Sequence, residues 1–246
     1  MKMKFWAAVL ALVAGFLPLA GQAAPDDVIV RYQMLFGGIH IADVEDRLVF
    51  GEDSTYQFES NATAIGMAAL LGTGDVFRTS EGRLDQASQR LEMDRYFHRR
   101  KDAEQISEID RAESLIRINY KGSASSEPFA AGGEITDPLT LNYLFYAFPE
   151  RAEESAIEVL FTDGKRSRPY LYKRNPESQT ITVPAGEFEA IAFKREEEDH
   201  SNEVWFIPEL GMIPGRILII AKAKIDFLLV SVAPIAKQPQ EDPSGS

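Results

Sequence analysis

The chain contains no cysteine and only three histidines. The first absence excludes disulfides, thiolate metal ligands and a cysteine nucleophile. His40, His98 and His200 stand far apart, with none of the close spacing of a zinc site. His40 and His98 fall in strand-like segments, where a histidine most simply faces solvent or a sheet neighbour. There is no Gly-x-Ser-x-Gly elbow, so a hydrolase of that design is unsupported. Positive charge is scarce as well: 26 Lys and Arg stand against 38 Asp and Glu, a formal net charge of −12. Such a chain is repelled by nucleic acid and by anionic membrane surfaces. Its longest basic run, His98-Arg99-Arg100-Lys101, is short and reads as a solvated strand end.

The one long apolar run is at the N-terminus. Lys2 and Lys4 precede Phe5 to Ala20, which is nearly all apolar and ends near Pro18, and the small residues Gly21, Ala23 and Ala24 follow. This is the tripartite pattern of a secretory signal, with cleavage expected after Ala23. The alternative, an uncleaved anchor, needs roughly 20 uninterrupted apolar residues. No cysteine follows, so attachment of lipid to an N-terminal cysteine is not expected. The organisation expected is a signal at 1–23, one β-barrel-like domain at 24–236 and a polar, disordered tail at 237–246. No integral membrane segment remains after cleavage, and the periplasm is the expected location. An exported domain without disulfides depends on a buried core, and this one is long enough to build it.

The body of the chain is written in short alternating segments. Val28 to Leu35 and Ile39 to Phe50 flank Gly37-Gly38 at hairpin spacing, and Thr55 to Ala64 sets Tyr56, Phe58 and Ser60 against Gln57, Glu59 and Asn61. Similar segments recur to Val232, separated by turn residues such as Ser80-Glu-Gly, Thr162-Asp-Gly and Pro184-Ala-Gly. The expectation is a mainly β fold: a strongly curved antiparallel sheet, or an open or spiral barrel, of about a dozen strands. One short helix is expected, with Asp137 as N-cap, Pro138 in its first turn, and Leu141, Leu144, Phe145 and Phe148 at helical spacing before Pro149. A second apolar stretch, Ala64-Ile-Gly-Met-Ala-Ala-Leu-Leu-Gly, sits where a polar turn belongs. It reads as a plug in the open end of the sheet or as a flap over a cavity.

Other constellations carry little chemistry. Glu196-Glu-Glu-Asp199 with His200 lacks the ligand alternation and glycine of a calcium loop and reads as a hairpin tip. Gly72-Thr-Gly-Asp75 and Gly132-Gly133 lack the strand–glycine–helix context and lysine of a phosphate cradle. A pair of carboxylates for hydrolysis is a matter of three-dimensional spacing on which the sequence is silent.

Five segments form a recognisable series: Tyr32 to Val44 (YQMLFGGIHIADV), Thr79 to Leu84, Asp137-Pro-Leu-Thr-Leu, Val183-Pro-Ala-Gly-Glu-Phe-Glu-Ala, and Trp205-Phe-Ile-Pro-Glu-Leu-Gly-Met-Ile-Pro-Gly-Arg. In order and spacing the series resembles an exported bacterial family known only as domain of unknown function 3108, over roughly residues 28–233. Ala42 stands where that family usually has glycine. The resemblance implies a periplasmic protein of Gram-negative bacteria with a curved sheet similar to the open barrels of lipoprotein carriers; it brings no established activity and no catalytic residues. The Trp205 segment is intelligible structurally: Trp205 and Ile207 anchor a strand, Pro208 ends it and Gly211 allows the reversal.

The leading expectation is a non-enzymatic envelope protein that holds a lipid, acyl chain or other hydrophobic ligand in a cavity of the sheet. The cavity lining is expected from Phe58, Met67, Leu70, Leu71, Leu141, Leu144, Phe145 and Phe148. The second expectation is a protein-interaction or structural module of the envelope; the third is a hydrolase acting through Asp or Glu. No cofactor, metal or nucleic-acid partner is expected.

Overall fold

A computed structural model describes residues 25–197 and 200–236. The signal, its cleavage site, the 237–246 tail, and Glu198 and Asp199 of the acidic cluster lie outside the described residues. The first half of the chain is a meander: β1 (Val28–Phe36), β2 (Ile39–Phe50), β3 (Thr55–Ala64), α1 (Gly66–Leu70), β4 (Val76–Asp85), β5 (Arg90–Arg100), β6 (Ala103–Asp110), β7 (Leu115–Tyr120) and β8 (Ser123–Pro128). Then come β9 (Ile135–Thr136) and α2 (Pro138–Ala147). The second half contains β10 (Ala156–Thr162), β11 (Ser167–Arg174), β12 (Gln179–Val183), β13 (Gly186–Glu197), β14 (His200–Ile207), β15 (Ile213–Ile220) and β16 (Lys224–Pro234).

These strands form one open sheet of 16 strands, ordered β8-β7-β6-β5-β4-β3-β2-β1-β16-β15-β14-β13-β11-β10-β9, with β12 paired to β13. Every pairing is antiparallel except the short parallel contact of β9 with β10. The sequence accounts for most of this. Gly37 and Gly38 take φ of 57° and 88°, the left-handed pair that a two-residue hairpin turn requires. In β3 the alternation holds residue by residue, with Tyr56, Phe58, Ser60 and Ala62 buried. The strand count exceeds the dozen expected, and two of the additional strands are β8 and β9. β8 is Ser-Ala-Ser-Ser-Glu-Pro, mostly exposed and without apolar alternation, and β9 has only two residues; neither leaves a periodic signal.

The ends of the sheet, β8 and β9, do not pair with each other. Side chains bridge this seam instead. Ser107 on β6 and Thr162 on β10 share a buried hydrogen bond of 2.7 Å, and the Ser167 amide donates to Glu127 at 2.8 Å. Arg151 donates to Glu134 at 2.7 Å and to the Gln89 carbonyl at 3.3 Å, tying the approach to β9 to the β4–β5 turn.

Helix α2 lies inside the curve. Its N-cap is a full capping box: Asp137 accepts from the amides of Leu139 and Thr140 at 2.7 and 3.2 Å, and the Asp137 amide donates to Thr140 Oγ1 at 2.8 Å. Leu139, Tyr143, Leu144 and Phe145 are buried on several sides, as befits a helix enclosed by a sheet. Phe145 meets Phe193 and Phe206, each at 4.7 Å between ring centres, while Phe58 meets Tyr143 at 5.9 Å.

The α1 stretch neither plugs the interior nor covers it. The connection is held at the rim by its own bonds: the Ile65 amide donates to the Ile41 carbonyl at 2.9 Å, the Ala64 amide to Asp75 at 3.0 Å and Arg100 to the Thr73 carbonyl at 3.0 Å. Only Ala68 is buried, and Met67, Leu70 and Leu71 are 67, 80 and 74% exposed.

One position shows how tightly the meander is drawn. At the β4–β5 bulge, a Cβ on Gly82 would stand 2.0 Å from the Glu92 carbonyl oxygen. Backbone cannot yield as a side chain can, so Gly82→Ala is expected to cost about 3 kcal/mol. Urea unfolding at neutral pH checks this, and an unchanged midpoint would contradict the geometry.

Candidate functional site

The turns at one end of the sheet, β1–β2, β3–β4, β5–β6, β10–β11, β13–β14 and β15–β16, gather around a common rim. Just inside it lies a cavity of about 330 Å³, walled by strands of both halves and by the first turns of α2. Its apolar wall includes Tyr32, Leu139, Leu141, Phe161, Tyr170, Tyr172, Ile219 and Phe227. Phe161 stacks on Tyr170 at 4.9 Å, so part of that wall is a flat aromatic face.

The opposite wall is polar, and it follows from register. Asp46 on β2 pairs with Ser60 on β3, Ser60 with Arg78 on β4, Arg78 with His98 on β5, and His98 with Gln105 on β6. Residues directly opposite one another in a ladder share a face. Arg78 has the same parity as the buried Ser80, Gly82 and Leu84, so the row faces inward. All five line the cavity. Asp163 and Lys165 reach it from the β10–β11 turn, Arg195 from β13 and Asn202 from β14.

The electrostatics of this wall are uneven. Asp46 accepts a 2.6 Å hydrogen bond from Tyr143 of α2, whose hydroxyl lies 3.3 Å from that of Tyr32. Because Tyr143 gives its proton to Asp46, Tyr32 is the donor in the second contact. Burial raises the Asp46 carboxyl above the usual carboxylate range, and its Oδ1 has no hydrogen-bond partner. His98 is pushed down to about 4 by burial and by the Arg78 and Lys165 cations, so it is neutral near pH 7. Arg195 lies 3.7 Å over the Tyr170 ring and pairs with Glu197 at 2.5 Å.

Of the eight side chains expected to line a cavity, Leu141 alone is in this wall. Phe58, Leu144, Phe145 and Phe148 are at most 3% exposed and belong to the filled core. The space beside Leu144 and Phe145 is about 10 Å³, no more than one water, because Phe193 and Phe206 occupy it. Met67, Leu70 and Leu71 face solvent. The polar row was missed, although the sequence carries a trace of it: Asp46, Ser60 and Arg78 each stand in phase with apolar inward positions of their own strands. Among the described residues no group of three or more His, Asp or Glu could hold a metal ion. Likewise, no described helix is long and apolar enough to cross a membrane.

Over residues 31–227 the chain matches the family described as "Protein of unknown function (DUF3108)". It belongs to that family. No curated protein matches it. Among solved structures, this DUF3108 chain is similar to a β-barrel-like protein of domain of unknown function DUF1849 from Brucella abortus, with TM-score 0.55, 6% identity, and 87% of this chain and 100% of that one covered. That likeness shows the fold. A protein described as a candidate lipoprotein from Parabacteroides distasonis follows at TM-score 0.36 and 10% identity, covering 86% of this chain and 100% of that one.

Asp137, fully buried beneath the cavity, provides a measurable consequence of this packing. Ser80 Oγ donates to it at 2.5 Å, yet burial outweighs the hydrogen bonds and raises its carboxyl to about 6. Folded protein therefore holds this proton where the unfolded chain has released it. The stabilisation is complete below about pH 4 and is lost as pH rises through 6, amounting to roughly 2–3 kcal/mol. In Asp137→Asn, which keeps the cap acceptor, that loss should vanish. Urea unfolding of both proteins at pH 4.5 and 7 tests it: the variant should gain on the wild type at pH 7, and parallel pH dependences would refute the assignment.

Proposed function

We propose that this protein is a non-enzymatic component of the bacterial envelope, acting in the periplasm, that holds a hydrophobic ligand in the cavity inside its rim. The observation that carries this reading is the cavity itself. It amounts to about 330 Å³, within the range of roughly 300–1,000 Å³ of small-molecule sites, and is walled by aromatic and aliphatic side chains from both halves of the sheet. The signal-like N-terminus supports export. Two other depressions, of about 220 and 460 Å³, contrast with it: every charged side chain in their walls has a hydrogen-bond or ion-pair partner.

Gentle purification followed by native mass spectrometry should show a bound lipid, and the emptied protein should take up a fluorescent fatty acid. Leu141→Trp, which fills the cavity from α2, should weaken that uptake at least about tenfold, the equivalent of about 1.4 kcal/mol. Failure to retain or bind any lipid would remove the reading.

A second reading, an interaction module, is favoured by one separate observation. Six of the eight exposed large apolar residues among those described, Phe36, Ile39, Met67, Leu70, Leu71 and Ile220, are at the rim. Exposed apolar side chains concentrated in this way mark contact sites. Replacing Met67, Leu70 and Leu71 by Ser distinguishes the two. Loss of a single discrete crosslinked partner in live cells, with fatty-acid uptake intact, would assign the rim to a protein partner. Loss of uptake would tie the rim to ligand entry.

A further inference from the structure

The polar row suggests what kind of ligand the cavity takes, an inference that rests on the ligand-holding reading above. Arg78 occupies an inward-facing strand position, where an apolar residue would normally continue the pattern of β4. It forms no ion pair among the described residues, and its Nε is buried without a hydrogen-bond partner. The Nε of Arg195 is likewise buried and unpartnered, although its Nη1 pairs with Glu197, so Arg78 is the guanidinium left without a carboxylate. Unpaired guanidinium donors shielded from water are costly, and they persist where something supplies an acceptor.

The nearby acids do not fully supply one. Asp46 is engaged by Tyr143, and Asp163 accepts the Lys165 backbone amide at 3.0 Å. The walls hold three cations, Arg78, Lys165 and Arg195, against two carboxylates, Asp46 and Asp163. Even with Glu197, which pairs with Arg195 from outside the wall, cations here equal carboxylates, in a chain whose net charge is −12. The low proton affinity of His98 points the same way, since two of its causes after burial are the Arg78 and Lys165 charges. Beside the cations lie the aromatic face of Phe161 and Tyr170 and the aliphatic floor of Leu141 and Ile219.

We propose that the ligand is an anionic amphiphile, an alkyl or acyl chain whose carboxylate or phosphate head is held by Arg78, with Lys165 and Arg195 completing the cationic side and the chain lying on the apolar wall. A guanidinium fork suits either head, because both present two oxygens to parallel N–H donors.

Calorimetric titration of the emptied, full exported protein with dodecanoate, dodecyl phosphate, dodecanol and inorganic phosphate tests this. At least one anionic amphiphile should bind roughly tenfold or more tightly than dodecanol, as expected for a hydrogen bond to a charged group. The tighter of the two names the head. Arg78→Gln should reduce that preference to near parity, and Arg78→Lys should restore part of it. If dodecanol equals both anions, the head assignment falls while the hydrophobic site stands, and a water-bridged Arg78–Asp46 pair explains the row. Inorganic phosphate binding as tightly as dodecyl phosphate would overturn the amphiphile in favour of a plain anion site. If nothing binds, the ligand-holding reading itself has failed. Should the Arg78 variants not fold, the comparison of the four probes on the wild type still decides.

Discussion

The constraint on which the structure depends is a sheet too long to leave its apolar face in water and too open to seal by its own ladder. With β8 and β9 unpaired, the β1–β16 ladder joins the two halves on one side only, and the open side needs another tie. Helix α2 takes that role, since residues of both halves pack against it: Phe58 and Asp46 from the first, Phe193 and Phe206 from the second. Its docking is directional as well as greasy. Asp137 reaches Ser80 on β4 and Tyr143 reaches Asp46 on β2, so the helix has one seat and one rotation. Buried polar contacts of this kind specify an arrangement even where they add little net stability.

Where α2 fills the shell, the interior is dense; near the rim, its first turns leave space. The division explains how one protein combines a filled core with a cavity. Rings from α2, β13 and β14 interlock at 4.7 Å in the core, while the polar row on β2 to β6 keeps the rim end from collapsing onto apolar side chains. Arg78 and His98 cannot pack as Leu and Phe would, because drawing them against hydrocarbon would strip water from charge and leave polar atoms unmatched. The cavity and the polar row are thus two aspects of one arrangement.

Much of the fold was legible in particular segments. Thr55 to Ala64 announced its strand by strict alternation, Gly37-Gly38 its turn by the need for positive φ, and Asp137-Pro138 its helix start by capping chemistry. The candidate site was far less legible. Phe58, Leu144, Phe145 and Phe148 have the side chains of a cavity wall, but the same chemistry serves a filled core, and only neighbours from distant strands decide which. Met67, Leu70 and Leu71 read as a plug or a flap because they are apolar; hydrogen bonds from Ile65 to Ile41 and from Arg100 to Thr73 hold their segment at the rim with these side chains in solvent.

By itself the sequence determined the absence of disulfides, the acidic surface, the strand and helix character of most segments, and the inward or outward parity within each strand. All of these are local, set by side-chain type and by periods of two or about 3.6 residues. Tertiary structure alone decided which strands are neighbours, and hence that Asp46, Ser60, Arg78, His98 and Gln105 stand in one row. That row spans residues dozens of positions apart, and register between strands is fixed by packing across the whole sheet rather than by any local pattern.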